Sequence, residues 1–465
     1  MKIFLYLYSV GFLFFSCQNG PVPLVDPPGG KSFWAVSINP STLDPAITDL
    51  TPYVVPALFV GASQHLEVYQ EIYSKNKVSA ATIENLILKF ENSIIPIEHR
   101  IFGKPLDVDG NGKLTILLLD IQDGYSGSEF ISGYFDPWNQ FADSLVYDKT
   151  SSKSRSNEKE MLYLDTYPSN LESNSFLATA AHEYQHLLHF SHDLLNKTGT
   201  LEEKWVNEGL SEVASDLAGF GPQSLRLVGF SGTSDNSLVD WSDQLADYSN
   251  VYSYFRYLAD AFSCTASSCD ILSAIFASDK VGIEGVNVGI DAYDVSFAAA
   301  CGNVTGLANP SFQCSFRYFW ANILSLSNVN GNFSSSSFFF IPDTMYDIAS
   351  NHLPTLPSFS SVSIAQFIPF GYGLFKKNSG DIPTLNAGVC PGVCDVANFS
   401  ILYETSATNY LIYNHSESVT GFISRTPQLN VVAQATTTTT GAYKPNYKEK
   451  RIHISIPQTI LSGLK

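Results

Sequence analysis

His182 and His186, in the stretch His182-Glu183-Tyr184-Gln185-His186, constrain this chain more than any other feature. On a helix, residues four apart share one face, about a turn from each other. Both imidazoles can then aim a nitrogen at one metal ion. Glu183, beside the first of them, can reach a water at that metal without binding the metal itself. This is the donor set of a zinc hydrolase: two His ligands, a general-base Glu and an open coordination position. A third protein ligand must come from elsewhere, so the fold has to bring another element to this helix. The surroundings suit burial, with Phe176, Leu177, Ala180 and Ala181 before the motif and Leu187, Leu188 and Phe190 after it. Four of the nine histidines fall between 182 and 192, which argues against a chance match.

Two residues compete for the third position. His192 stands where a metzincin carries its third His, but that pattern needs a Gly three residues after the second His, and His189 occupies the place. The only Met after the motif is Met345, in no turn context. A helix continuing past His186 carries His192 about 9 Å further along its axis and roughly 60° further round than His189. Glu208 lies in Trp205-Val206-Asn207-Glu208-Gly209, which resembles the second motif of the gluzincin metallopeptidases. The resemblance implies that a Glu on a following helix, here Glu208, is the third ligand, with Gly209 allowing close approach. Glu212 is four residues on and shares its face. By resemblance to the thermolysin-like enzymes, an acid there accepts a hydrogen bond from a metal-bound His and fixes its tautomer. The plain alternative for Glu212 is a solvated helix residue.

The match extends upstream. Asp107-Val108-Asp109-Gly110-Asn111-Gly112-Lys113, the apolar run Leu114 to Leu119, Gly133-Tyr134-Phe135-Asp136-Pro137 and then the His-Glu-Tyr-Gln-His motif follow one another in an order similar to that of hyicolysin-like peptidases. The resemblance covers roughly residues 50 to 265. It implies an α+β, thermolysin-like gluzincin catalytic domain, α/β in its N-terminal half and helical in its C-terminal half, with Zn2+ as cofactor. The residues Tyr248 to Leu258 are similar to the helix of gluzincin aminopeptidases that carries an oxyanion-stabilising Tyr, which points to Tyr248. A core tyrosine sharing a face with Val251 and Phe255 is the alternative.

The local pattern agrees. Val54 to Val68 reads as strand and Ala80 to Ile101 as a helix, with Ile83, Leu86, Ile87, Phe90 and Ile94 at helical spacing. Leu114 to Leu119 and Met161 to Asp165 read as strands, and residues 174 to about 330 as mostly helical. Asp107 to Gly112 resembles the start of a calcium loop, but the twelfth position, where an EF-hand needs an acid, is Leu118. The main reading there is a tight turn into the strand, with a calcium site as the alternative.

At 465 residues the chain is long enough for two or three domains, and 45% hydrophobic with 15% charged residues makes it globular. The net charge of −18 argues against nucleic acid as a partner. Residues 1–16 read as a signal peptide: Lys2 is followed by an apolar core, Ile3 to Phe15, too short to span a bilayer. Phe14-Phe15-Ser16-Cys17 resembles a relaxed bacterial lipobox, so Cys17 is the expected lipidation site and residues 17–45 a lipid-anchored tether. Ordinary signal-peptidase cleavage is the alternative. Either way the expected location is the bacterial cell envelope, at the outer membrane or cell surface, or outside the cell. The other six cysteines fall in close pairs, and short loops close most readily, so disulfides 264–269, 301–314 and 390–394 are expected. The zinc peptidase domain is set at 46–330 and a β-rich C-terminal module, with Ile452 to Ile456 alternating, at 331–465.

These readings predict a peptidase that hydrolyses protein or peptide substrates by water attack, with Glu183 as base. The rival is a catalytically silent, surface-binding lipoprotein with a vestigial zinc site. The intact Glu183 argues against it.

Overall fold

A computed structural model describes residues 23–38, 50–127, 129–150, 153–195, 200–221, 226, 238–239, 241, 244–300, 309–327, 361–363, 384–386, 399–406, 409–415, 449–454, 456 and 461. β1 (Gly30–Ser37), β2 (Thr51–Ala62) and β3 (Leu66–Glu71) form an antiparallel meander. β4 (Leu114–Leu119) runs parallel to β3, and β5 (Phe130–Phe135) runs antiparallel to β6 (Met161–Asp165), which is itself parallel to β4. Four short strands, β7 (Ser361–Ser363), β8 (Thr384–Asn386), β9 (Phe399–Ser406) and β10 (Asn409–His415), pair as β7 with β8 and β9 with β10. β11 (Glu449–His453) then pairs with β5 in parallel and completes a seven-stranded sheet in the order β1-β2-β3-β4-β6-β5-β11.

The central strands are apolar on both faces because both are covered. Side chains alternate along a strand. Leu114, Ile116 and Leu118 of β4 and Leu162 and Leu164 of β6 therefore enter the large core shared with the helices. Leu117, Leu119, Met161 and Tyr163 enter a smaller core on the other face with Phe33, Val55 and Tyr69.

Of the helices, α1 (Ala80–Lys89) begins at Ser79, whose hydroxyl accepts from the Thr82 N–H at 3.1 Å. It runs through a π turn at Phe90–Ile94 into α2 (Ile95–Phe102). The sequence reads this stretch as one helix. Pro96 is the reason for the interruption, since its ring clashes with the carbonyl four residues back and a widened turn accommodates it. After α3 (Asp143–Lys149) and β6 comes α4 (Asn174–Leu195), the helix of the His motif. It is apolar nearly all round because it is wedged between β5 and β6 and the next helix. Gly133 of β5 lets it come close: a Cβ there would meet Leu164 Cδ2 at 3.0 Å and Thr179 Cγ2 of α4 at 3.1 Å. α5 (Lys204–Ser215), extended by a π turn at Asp216–Phe220, packs on α4. α6 (Leu245–Ala261), α7 (Asp270–Phe276), α8 (Gly282–Tyr293), α9 (Phe297–Ala300) and α10 (Pro310–Ser327) build the helical half.

The class is α+β, with the sheet in the N-terminal half and the helices after it, as the sequence suggests. Three expectations need revision. Val54 to Val68 is a hairpin, β2 and β3 joined through residues 63–65, rather than one strand. Gly30–Ser37, inside the stretch read as tether, is a strand: Phe33, Ala35 and Val36 are buried, a short apolar run that the surrounding Pro and Gly residues mask. Glu449–His453, assigned to a C-terminal module, joins the first sheet, and Ile454, Ile456 and Leu461 enter its cores.

Cys264 and Cys269 form the expected disulfide. Cys314 is also disulfide-bonded, while Cys301, Cys390 and Cys394 lie outside the described residues, as do Cys17 and the residues 1–16 expected to be a signal peptide. No helix among the described residues is long and apolar enough to cross a membrane.

Candidate metal centre

α4 presents His182 and His186 one turn apart, with their Nε2 atoms 2.9 Å from each other. α5 brings Glu208 against them, its Oε2 3.2 Å from His182 Nε2 and 3.6 Å from His186 Nε2. All three side chains are buried, and their three ligand atoms lie within 4.8 Å of one another.

A hydrogen bond on the far side of the His186 ring sets its tautomer, and a carboxylate faces the far side of the His182 ring. His186 Nδ1 is 2.6 Å from Asn207 Oδ1 and 3.0 Å from Ser211 Oγ. With Asn207 Oδ1 as acceptor, Nδ1 carries the proton and Nε2 a lone pair. His182 Nδ1 faces Glu212 Oε1 at 3.6 Å. Two ring lone pairs and a carboxylate thus converge on one point, an arrangement that a cation between them relieves. Zinc bonds of about 2.0–2.2 Å in a tetrahedron set neighbouring ligand atoms about 3.3–3.5 Å apart. The observed separations of 2.9, 3.2 and 3.6 Å bracket that spacing. The donors present fit a zinc ion.

Glu212 is not a solvated helix residue. It is fully buried, and Arg226 holds its Oε1 through Nε and Nη2, each at 2.8 Å. A buried carboxylate needs such a partner. Arg226 also lies over the ring of Tyr248, its guanidinium 4.6 Å from the centroid, and Trp241 packs edge-on against the same ring at 4.9 Å. Tyr248 is therefore joined to the centre through Arg226 and Glu212. Glu183 projects toward the end of β5, where the Phe135 N–H donates to its Oε2 at 3.0 Å.

His192 lies elsewhere. α4 continues without a turn to Leu195. The His192 ring sits on Phe276, centroids 4.6 Å apart, and its Nδ1 is 3.7 Å from Asp193 Oδ1. Among the described residues, the groups able to hold a metal include Glu208 and not His192. Gly209 serves a different approach from the one expected. A Cβ there would stand 2.1 Å from Phe255 Cδ2, so this glycine admits α6, not α4, against α5.

Sequence reasoning assigned no role to Asn207, Ser211 or Arg226. The first two carried a signal: they lie four apart on α5, each one residue before an acid of the Glu208/Glu212 pair. Arg226 carried none, because only the fold brings it to Glu212.

No family model matches the chain. The neutral metalloprotease ShpI of Staphylococcus hyicus is similar to it, 29% identical over 204 residues, which are 40% of this chain and 43% of that protein. The chain thus spans less than half the length of that relative. The similarity supports kinship with metalloproteases.

Proposed function

We propose that this protein is a zinc-dependent peptidase of the gluzincin type, acting on protein or peptide substrates, with His182, His186 and Glu208 as ligands and Glu183 as general base. The observation that carries this reading is the buried meeting of two imidazole nitrogens and a carboxylate from two packed helices, with Glu183 beside the first ligand. The similarity to a neutral metalloprotease supports it. A zinc ion in this site supplies Lewis acidity toward a scissile carbonyl and lowers the pKa of water toward about 7. Glu183, oriented by the Phe135 N–H, accepts the proton of the attacking water and delivers it to the leaving amine. Glu212 and Asn207 hold the two rings in the tautomer that leaves Nε2 unprotonated. Tyr248, against Arg226, is the proposed donor to the developing oxyanion.

The fold reading that accompanies this is thermolysin-like, with hyicolysin-like enzymes as the nearer resemblance. The proposed setting is a lipid anchor at Cys17 in the bacterial cell envelope, or secretion.

Glu183→Gln tests the mechanism. The variant keeps zinc stoichiometry, while casein cleavage falls by about 10²–10⁴-fold, the usual contribution of a general base. 1,10-Phenanthroline abolishes cleavage by the parent protein. A variant that retains near-normal turnover overturns the mechanism. A parent protein that holds zinc yet cleaves nothing supports the silent binding lipoprotein instead.

A further inference from the structure

A second group of oxygen donors lies outside the His site. Asp107 and Asp109, on the exposed turn before β4, and Glu160, just before β6, place one carboxylate oxygen each within 4.8 Å of one another. Acidic turns are common without an ion, but Glu160 is not an ordinary surface acid. It is 2% exposed. Its Oε1 accepts from the Val108 N–H within the turn, which aims the carboxylate at Asp107 and Asp109. Its Oε2 is buried with no hydrogen-bond partner. A carboxylate oxygen in that state has lost its hydration without compensation. Among the ion pairs of the described residues, Lys159 reaches this group and is engaged by other acids: Nζ is 2.6 Å from Asp109 Oδ2 and 3.4 Å from Glu67 Oε1. Lys159 therefore pairs with Asp109 and Glu67, and its ion pairs among the described residues include neither Asp107 nor Glu160.

We propose that Asp107, Asp109 and Glu160 form a calcium site that ties the turn before β4 to the start of β6. The donors are all hard oxygens, with no His or Cys among them, which favours a hard cation such as calcium over zinc or copper. The two exposed aspartates leave room for the waters that complete a coordination shell of six to eight. The turn begins like an EF-hand loop but has Leu118, a buried strand residue, where the bidentate acid belongs. Glu160 supplies that acid from a segment distant in sequence. Lys159 can withdraw toward Glu67 when the ion enters. β4 and β6 are adjacent parallel strands, already joined here by the Thr115 N–H to Glu160 carbonyl bond at 2.8 Å. An ion at this point fixes the start of the strand whose other end leads to α4.

The test is calorimetric titration of the zinc-loaded, full-length protein with calcium chloride, with thermal unfolding followed in parallel. Neither readout depends on peptidase activity. The expected result is one saturable calcium site and a rise in Tm with calcium. Binding weakens at least tenfold in Asp107→Asn/Asp109→Asn, which alters only exposed side chains and keeps the fold. It weakens similarly in Glu160→Gln and tightens in Lys159→Met. Absence of saturable binding up to about 10 mM, above the range of weak extracellular calcium modules, overturns the proposal. So does a double variant that binds calcium as the parent does, or magnesium binding as tight as calcium binding.

Discussion

Replacing Gly209 by Ala should loosen the proposed metal centre although Gly209 supplies no metal-binding atom. An ideal Cβ at this position stands 2.1 Å from Phe255 Cδ2 and 2.5 Å from Cε2. Carbon atoms need about 3.5–4.0 Å, so one partner has to move by about 1.5 Å. Phe255 has no room to turn: it is fully buried, and the rings of Trp205 and Tyr254 lie 5.8 and 5.3 Å away. The strain passes to α5. Overpacking of this kind typically destabilises by about 1–3 kcal/mol, and the helix preference of Ala over Gly returns about 0.8–1 kcal/mol. The net is a loss of up to about 2 kcal/mol, or a fall in Tm of up to roughly 6 °C. Glu208 and Asn207 directly precede Gly209, so a displaced α5 moves both the proposed third ligand and the hydrogen-bond partner of His186. Zinc affinity should fall about tenfold, at the lower end of what disturbing a ligand's supports does. The assay is zinc competition against a chromophoric chelator, with thermal unfolding alongside. Phe255→Leu in the same chain should recover both quantities, giving a coupling of about 1–3 kcal/mol in the double-mutant cycle. A Gly209→Ala protein that is as stable as the parent and binds zinc equally well refutes the claim that the α5–α6 contact positions Glu208.

Glu208→Ala should lower zinc affinity by several orders of magnitude while His192→Ala leaves it unchanged, measured by the same competition; the reverse pattern would restore the metzincin alternative. Asn207→Ala removes the acceptor of His186 Nδ1 and should weaken zinc about 10–100-fold, with Asn207→Asp retaining most of the affinity. Stability should also fall with rising pH in the neutral range. Burial raises the Asp136 and Asp165 carboxyls from 3.8 to about 7 in the folded protein, so between these values the folded state holds protons that the unfolded chain has released. Stability is then greatest below about pH 4 as far as these two groups are concerned, and declines as pH rises through 7. Denaturant midpoints from pH 5 to 8 should decline less in Asp136→Asn, and an unchanged slope would show that Asp136 is not responsible.

The placement of the motif was legible because it is local. Spacing alone placed His182, Glu183 and His186 on one helix, and the missing Gly at His189 foretold that α4 would run straight on past His186. Central strands such as Leu114–Leu119 were legible as continuous apolar runs. What escaped was set by contacts between distant segments. Nothing near Arg226 announces Glu212, and the function of Gly209 depends on Phe255, which a different helix supplies. Glu160 is invisible to a reading that seeks a twelfth loop residue. β1 was missed because a short strand between Pro- and Gly-rich stretches has little periodicity to read.

The pairing of β11 with β5 carries a kinetic consequence. Phe130 meets Glu449, and Phe135, whose N–H holds Glu183, meets His453. Nearly the whole described chain must be synthesised before that flank of the sheet can close. Until then one edge of β5 presents open backbone donors and acceptors, a surface prone to stray pairing, and closing so long a loop makes this a late folding event. The strand that holds Glu183 is thus finished late.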